Sequence, residues 1–380
     1  MRTNRLFYGL ILLISGFAVI SCVEKYSPDI KDYSDQLVVD GLITNQNGPY
    51  KVLLSKTSPL NNDELRPFTG ASVLVEDNEG NTYEFDEVVP GSYENNEFTG
   101  EPGVAYKLQI LASDGKLYES DYQEMPPSVP IDTVYAEIET NPTENPDYNE
   151  IGYQFYLSSQ DVESESIYFL WKLTETYEYH ADHDLEYTYS GVVVPYPDPD
   201  EFSTCWKTTK LREFYLFDAS VLNNVNIQNL PLNFVNTETK RLSVRYSLLV
   251  DQYILSEQAF EFFSSVQEMN SGNDLFYSTQ PYQIEGNVEC VDEPQENVLG
   301  QFLVAGKTSK RIFVDRPYGV YFYYEVCPVN TEEIGELGMY HPSDYPIYLT
   351  LTENMVMGTV GKGCVDCREH GGTIEKPDFW

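Results

Sequence analysis

Apolar and polar residues alternate in short runs along most of the chain, a pattern typical of β-strands. Between residues 37 and 125 these runs recur at short intervals; examples are Leu37–Val39, Lys51–Leu54, Ser72–Val75, Thr82–Phe85, Tyr106–Ile110 and Leu117–Tyr118. Asp114-Gly115 is a β-hairpin signal between two of them. Because no helical pattern separates the runs, they predict a β-sandwich over residues 37–125, of the immunoglobulin or transthyretin type.

A proline-rich segment follows this first region. Three of the residues 126–130 are proline, which cannot donate to a continuous β-ladder, so we predict a hinge there. Strand-like runs then resume in a larger β-rich domain, residues 131–380. The clearest are Asp132–Glu139, Tyr153–Leu157, Tyr168–Leu173, Leu242–Val250, Gln301–Val304 and Val320–Val326.

One helix interrupts this second region, near residues 256–269. Ser256 is a suitable N-cap and Glu257 places an acid in the first turn. Phe260, Phe263 and Val266 form one apolar face, which we expect to pack onto a sheet. The fold class predicted from the sequence is therefore mainly β, with one packed helix.

The amino terminus has the pattern of a secretory signal. Arg2 and Arg5 precede an apolar run, 6–20, that is shorter than the roughly 20 residues of a membrane span. Val19-Ile20-Ser21-Cys22 matches a bacterial lipobox. We predict that residues 1–21 are removed, that Cys22 carries lipid and that residues 22–36 form a tether. Val23 follows Cys22 where an acid would favour the inner membrane, so the outer membrane is the expected location, on either its periplasmic or its external face.

The charge is strongly negative: 23 Lys+Arg face 61 Asp+Glu, for a net charge of −38. Such a chain repels phosphate backbones, which argues against nucleic-acid binding. Anionic lipid surfaces repel it as well, so the lipid anchor is the expected attachment to the membrane. An acidic surface also keeps a secreted protein soluble.

Five cysteines remain once Cys22 is lipidated: Cys205, Cys290, Cys327, Cys364 and Cys367. Four of them can form two disulfides, as suits an oxidising export route. Cys364 and Cys367 lie in a glycine-rich loop, which favours a structural role. Cys205 is the preferred partner for one of them and Cys290–Cys327 is a candidate second bridge, but spacing alone leaves the pairing open.

Metal and catalytic motifs are weak. Cys364, Cys367 and His370 have the spacing of part of a zinc site. The cluster of His180, His183 and Asp184 suggests a divalent metal, but its flanks alternate like strands, so an exposed hairpin tip is favoured. We predict no metal and no cofactor.

No serine-hydrolase, metalloprotease or phosphate-binding motif occurs in the chain. We therefore predict a protein that is not an enzyme; a hydrolase with dispersed carboxylates is the alternative. Tyr321, Tyr323 and Tyr324 lie with Phe322 on one candidate strand. Core packing is the favoured interpretation of these rings, and a ligand groove is the alternative.

Several segments resemble one family, the domain-of-unknown-function family numbered 4249. They are Leu255–Phe263, Leu275-Phe276, Gly286–Val288, Val298–Phe302, Lys310–Phe313, Cys364–Arg368, Gly371–Thr373 and Lys376–Trp380, with 103–118 resembling its amino-terminal module. Cys290 departs from the family's pattern. The family comprises lipoproteins of Gram-negative bacteria, often encoded beside TonB-dependent outer-membrane transporters.

The resemblance implies an accessory lipoprotein at the outer membrane that binds a TonB-dependent transporter barrel and helps to capture or hand over a nutrient. It supplies no catalytic residues. Two alternatives from other classes remain: a free-standing surface adhesin or glycan-binding protein, and the hydrolase already named.

Overall fold

The computed structural model describes residues 35–58, 66–145, 148–162, 167–220, 225–271, 284 and 286–380. The predicted signal, the lipidation residue Cys22 and nearly all of the tether lie outside these residues. The strands are β1 Leu37–Thr44, β2 Tyr50–Lys56, β3 Arg66–Pro67, β4 Ser72–Asp77, β5 Thr82–Val89, β6 Ser92–Asn95, β7 Ala105–Leu111, β8 Leu117–Ser120, β9 Gln123–Glu124, β10 Ile131–Pro142, β11 Asn149–Val162, β12 Tyr168–His180, β13 Tyr187–Tyr189, β14 Val193–Pro195, β15 Thr204–Asp218, β16 Val225–Asn236, β17 Arg245–Leu255, β18 Val288–Cys290, β19 Leu299–Asp315, β20 Ile347–Leu351 and β21 Met357–Val360.

Helical structure is sparse. The α-helices are α1 Glu257–Ser271 and α2 Lys362–Val365, and 3₁₀ turns span Lys240–Leu242, Glu332–Met339, Pro342–Asp344 and Cys367–His370. The mainly β fold class is therefore confirmed. Within the described segments, no helix combines the length and the apolar character needed to cross a membrane.

A long hydrogen-bonded ladder of fourteen strands runs through both halves of the chain, in the order β15-β12-β17-β19-β1-β2-β6-β5-β4-β7-β8-β18, with β3 on β2 and β9 on β7. The ladder folds back on itself, so that β1, β2 and β6 face β4, β7 and β8 across one apolar core. We call this the first sandwich. Its inward positions alternate along each strand, as the sequence pattern predicts.

The first sandwich is completed by residues far along the chain. Val288, Val298 and Phe302 belong to its core, although the sequence assigns them to the second region. The predicted boundaries 37–125 therefore omit part of this core. The reason is topological: β1 pairs with β19 in parallel, and parallel neighbours need a long connection.

Three backbone segments meet closely where β1 and β19 pair. Gly300 has φ +90°, and a Cβ there would lie 1.9 Å from the carbonyl oxygen of Val39, so only glycine fits. The buried amide of Asn287 donates to the Phe302 carbonyl and accepts from the Phe302 amide, both at 2.8 Å. The glycine and asparagine signals in the sequence thus mark close approach between strands.

A second sandwich follows residues 126–130, which connect β9 to β10. The three-stranded sheet β10-β11-β16 packs on one face of β12 and β17. Phe155, Leu157 and Val235 from the small sheet meet Trp171 and Leu248 from the large one. Strand β19 pairs with β17 through its second half, so it belongs to both sandwiches.

Helix α1 covers the opposite face of β12 and β17. The Ser256 hydroxyl accepts a hydrogen bond from the Ala259 amide at 3.3 Å, which confirms the predicted N-cap. Phe260 and Phe263 pack against Tyr168 and its neighbours, as the apolar stripe predicts.

The predicted strand at 320–326 is wrong. These residues form an extended segment outside any ladder, held through Thr237. The Thr237 hydroxyl donates to the Tyr321 carbonyl at 3.0 Å and the Tyr323 amide donates to the Thr237 carbonyl at 3.1 Å. The alternation in sequence reflects a segment with one buried side, where Phe322 enters the second core.

Candidate functional site at the distal end

Three strands of the second sandwich meet at one end of the molecule. Glu178 near the end of β12 pairs with Arg245 at the start of β17, which pairs with Asp315 at the end of β19. We call this the distal end, because the described chain enters the fold at the other end of β19, where Val38 lies beside Leu299. The candidate site is built here.

A small unit, which we call the disulfide lobe, extends the distal end. It comprises residues 181–205 and 326–375 and contains the four-stranded sheet β14-β13-β20-β21. Disulfides join Cys205 to Cys367 and Cys327 to Cys364. The first bridge ties the lobe to β15, and the second closes it on itself.

One of the two disulfide predictions is confirmed and the other is wrong. Cys205 does pair with one of the two carboxyl-terminal cysteines, as preferred from the sequence. The candidate Cys290–Cys327 bridge is wrong, because Cys290 lies buried in the first sandwich core without a disulfide partner. Cys364 lies on α2 and Cys367 opens a 3₁₀ turn, so the region is two short helical turns where a loop was expected.

Hydrogen bonds hold Asp182 and His183, which follow β12, against the rest of the lobe. The Asp182 carboxylate accepts from Lys240 Nζ at 2.6 Å and from the Cys327 amide at 3.1 Å. His183 Nε2 lies 2.8 Å from the Cys327 carbonyl oxygen, and the His183 amide donates to Cys364. Asp182 and His183 are therefore half-buried, so the exposed tip expected there is wrong for His183, whereas His180 and Asp184 are exposed.

Neither metal alternative has its ligands in place. Cys364 and Cys367 are both oxidised, so they are not thiolates, and His370 Nε2 lies 2.9 Å from the Gly363 carbonyl. Across the described residues, no three His, Cys, Asp or Glu side chains converge as a metal site.

Hydrogen bonds to carboxylates add to the small apolar cluster of the lobe. Asp366 is buried and accepts from the guanidinium of Arg368 at 2.9 Å; this pairing lowers the pKa of Asp366 below its ordinary value. Glu333 accepts from the hydroxyls of Thr359 and Tyr340, which lower its pKa in the same way. Both carboxylates are held charged by structural partners.

The lobe surface combines exposed apolar side chains with negative charge. Val193 and Val194 lie on β14, the outer strand of the small sheet, and Val192, which is 66% exposed, directly precedes it. Met339 and Met355 are also largely exposed. Lys362 and Arg368 are the only lysine and arginine in the lobe, against many acids.

Beside the lobe lies a group of three rings, Tyr148, Tyr321 and Tyr323, which we call the tyrosine cluster. The Tyr148 and Tyr323 centroids are 5.4 Å apart, and those of Tyr321 and Tyr323 are 4.9 Å apart, both edge to face. Tyr321 is 71% exposed and Tyr323 47%. Core packing, the interpretation favoured from sequence, is wrong for these two rings, whereas Tyr324 does pack on the second core.

A carboxylate supports the cluster. The Tyr148 hydroxyl donates to Glu238 Oε1 at 2.5 Å, and this hydrogen bond raises the pKa of Tyr148 to about 12. The Tyr148 hydroxyl is therefore committed to Glu238.

Two further features lie away from the cluster. A cleft of about 700 Å³ opens near Asp35, but its Lys116 is already held by Glu293 and Glu296 at 3.0 and 2.6 Å. Asp198 hydrogen-bonds to Asp200 on an exposed loop, and this hydrogen bond raises the pKa of Asp198, with the neighbouring negative charge adding to the effect. That carboxylate pair lies at the surface, outside the cleft.

Sequence reasoning identified Tyr321 and Tyr323 but favoured core packing for them, and it missed Tyr148. The Tyr-Phe-Tyr alternation at 321–323 predicts that the two tyrosine rings lie on the same side of an extended segment. It does not predict that this side is exposed to solvent.

Comparison with known proteins identifies a family. The family model described as Domain of unknown function (DUF4249) matches residues 23–311. No curated protein matches the chain in a sequence search. The match ends within β19, so the tyrosine cluster's Tyr321 and Tyr323 and the carboxyl-terminal part of the lobe lie beyond it. Because the matched segment spans well over half of the chain, this protein belongs to the DUF4249 family.

Proposed function

We propose that this protein is an outer-membrane lipoprotein, anchored through Cys22, that binds a TonB-dependent transporter barrel and acts as its accessory. The lipobox sequence supports the anchor, and the sequence resemblance supports the neighbourhood. Capture or transfer of a nutrient is part of the same proposal.

One geometric observation carries the proposal. The chain enters the fold beside Leu299, and β19 runs from there to Asp315 at the distal end. Seventeen residues of strand, at about 3.3 Å each, separate the two ends by roughly 50 Å. A tether attached to membrane therefore leaves the disulfide lobe and the tyrosine cluster on the side away from the anchor point.

The exposed side chains at the distal end suit a protein partner. Contiguous apolar residues on a soluble surface mark interaction sites, especially where polar residues surround them. Val192, Val193 and Val194 form such a run at the start of the edge strand β14, within an acidic lobe. The backbone of Val193 and Val194 is paired with β13, so binding requires little ordering of the chain.

The test is affinity purification of the tagged lipoprotein from gently solubilised native membranes, followed by mass spectrometry. We expect a stoichiometric TonB-dependent barrel with the wild-type chain, and its loss when Val192, Val193 and Val194 are all changed to Thr. The matched control changes Val88 and Val89 to Thr, since these valines are equally exposed but lie on β5 of the first sandwich. Recovery of the lipoprotein alone, from membranes rich in the neighbouring barrel, would refute the proposal.

The anchor has its own test. Cys22→Ser should leave the protein in the soluble fraction and remove the mass of attached lipid from its amino terminus. Membrane attachment that persists in this variant would contradict lipidation at Cys22.

An adhesin or glycan-binding protein is the second candidate. The observation in its favour is the exposed tyrosine cluster, since aromatic faces also stack on sugars. A glycan-array signal that depends on Tyr321, in the absence of any co-purifying barrel, would support this candidate over the first.

A further inference from the structure

The tyrosine cluster is a rigid, outward-facing surface. Thr237, itself buried, binds the backbone on both sides of Phe322, and Phe322 is buried beneath the stacked guanidinium of Arg316 at 4.1 Å. Tyr321 and Tyr323 are therefore fixed with their rings in solvent before any partner arrives. Preorganisation of this kind reduces the ordering cost of binding.

Arginine already stacks on aromatic rings in four places in this part of the chain. The pairs are Arg245 on Phe313 at 4.6 Å, Arg311 on Phe379 at 3.6 Å, Arg316 on Phe322 at 4.1 Å and Arg368 on Phe202 at 3.6 Å. Within the described segments, no lysine or arginine lies over Tyr148, Tyr321 or Tyr323. The cluster thus presents ring faces of the same kind without a cation of its own.

Three carboxylates lie near the same rings. Glu238 binds Tyr148, Glu150 is close enough to act on the same hydroxyl, and Glu325 is exposed two residues beyond Tyr323. None of these three carboxylates forms an ion pair with another described residue. Exposed ring faces next to unpaired carboxylates are complementary to guanidinium groups, which stack on the one and form hydrogen bonds with the other.

We propose that the tyrosine cluster is a docking site for an extended, arginine-bearing segment of a partner protein. Tyr321, Tyr323 and Glu325 alternate along an extended backbone, so they repeat about every 6.6 Å. An extended partner segment with arginine at every second residue has the same repeat. A neutral glycan would use the rings but not the carboxylates, so the charge favours the cationic segment.

The experiment measures binding of a fluorescent peptide that alternates glycine and arginine, using the full chain and fluorescence anisotropy. Tyr321→Ala with Tyr323→Ala should weaken binding about tenfold, since each exposed cation–π contact contributes several-fold. Glu325→Gln should weaken it by about threefold, and added salt should reduce that difference. Tyr318→Ala, a fully exposed tyrosine outside the cluster, is the matched control and should bind like the wild type.

Three outcomes would overturn the proposal: no binding of the arginine peptide to the wild-type chain, equal binding to the double variant, or binding of maltoheptaose but not of the peptide. If the double variant keeps the thermal unfolding midpoint of the wild type, misfolding is excluded as the cause of lost binding. The proposal does not depend on the lipid anchor or on a transporter, so it can fail or succeed independently of the proposed function.

Discussion

The first sandwich and the disulfide lobe are stabilised in different ways. The sandwich buries a continuous set of aliphatic and aromatic side chains drawn from residues 37–125 and 288–304. The lobe has small apolar clusters, one formed by Tyr189, Leu337 and Leu349, and relies on two disulfides and buried carboxylate hydrogen bonds. A unit too small to bury a large core can hold its shape through cross-links and still expose apolar residues to a partner.

The largest contrast should come from removing the Cys205–Cys367 disulfide. Changing both residues to Ser opens a loop with a sequence separation of 162. The added chain entropy of the unfolded state lowers the free energy of unfolding by about 5 kcal/mol. We expect native-state proteolysis within 181–203 and 326–375 while the first sandwich keeps its amide protection. A lobe that stays resistant to proteolysis without its disulfide would contradict the comparison.

Truncating a core side chain of the first sandwich should destabilise that sandwich and leave the disulfide lobe intact. Phe302→Ala empties a fully buried position in the first sandwich, which costs about 3–5 kcal/mol in the free energy of unfolding. Hydrogen exchange should show the loss first in β1, β2 and β19, with the lobe disulfides intact. Tyr318→Ala is the surface control. Equal loss of protection in lobe and sandwich would show that the two units unfold together.

A smaller effect is expected from the link between the two halves of the chain. Asn287→Ala leaves the buried amide and carbonyl of Phe302 without partners, at a cost of about 1–3 kcal/mol. Denaturant unfolding followed by a first-sandwich probe measures it. Asn78→Ala, an exposed asparagine with one bond to the Ala105 amide, should stay within about 0.5 kcal/mol of the wild type.

The smallest effect should depend on pH. Arg368 holds the pKa of Asp366 below that of an unfolded aspartate, so this stabilisation is present above about pH 4 and is lost as pH falls through the lower folded-state value. Asp366→Asn should lower lobe stability by about 1 kcal/mol at pH 7 and by progressively less in acid. Asp344→Asn, on the lobe surface, should not change the pH profile; a constant difference at all pH values would contradict the assignment.

Local features of the fold could be predicted from the sequence. The two-residue alternation identified the strands of the first sandwich, and Ser256 with Phe260 and Phe263 identified helix α1. These signals are local, because side-chain direction repeats within a few residues. The mainly β class follows directly from them.

Features that depend on distant partners could not be predicted. The placement of residues 288–304 in the first core follows from the parallel pairing of β1 with β19, which no local pattern records. The pairing of Cys205 with Cys367 and of Cys327 with Cys364 requires knowing how the chain returns to β15. The alternation at 321–323 predicts which rings lie on the same side of the segment but not whether that side is buried or exposed. The tyrosine cluster could therefore be recognised only in the three-dimensional structure.

The parallel pairing of β1 with β19 also has a mechanical consequence. A membrane anchor would pull β1 from its first residue, whereas a partner at the distal end would pull β19 from its last. The two forces act along the strands in opposite directions, so the register pairs from Val38–Leu299 to Thr44–Ala305 are loaded together in shear. Strands sheared in this way must break many hydrogen bonds at once, so this pairing resists tension applied along the two strands.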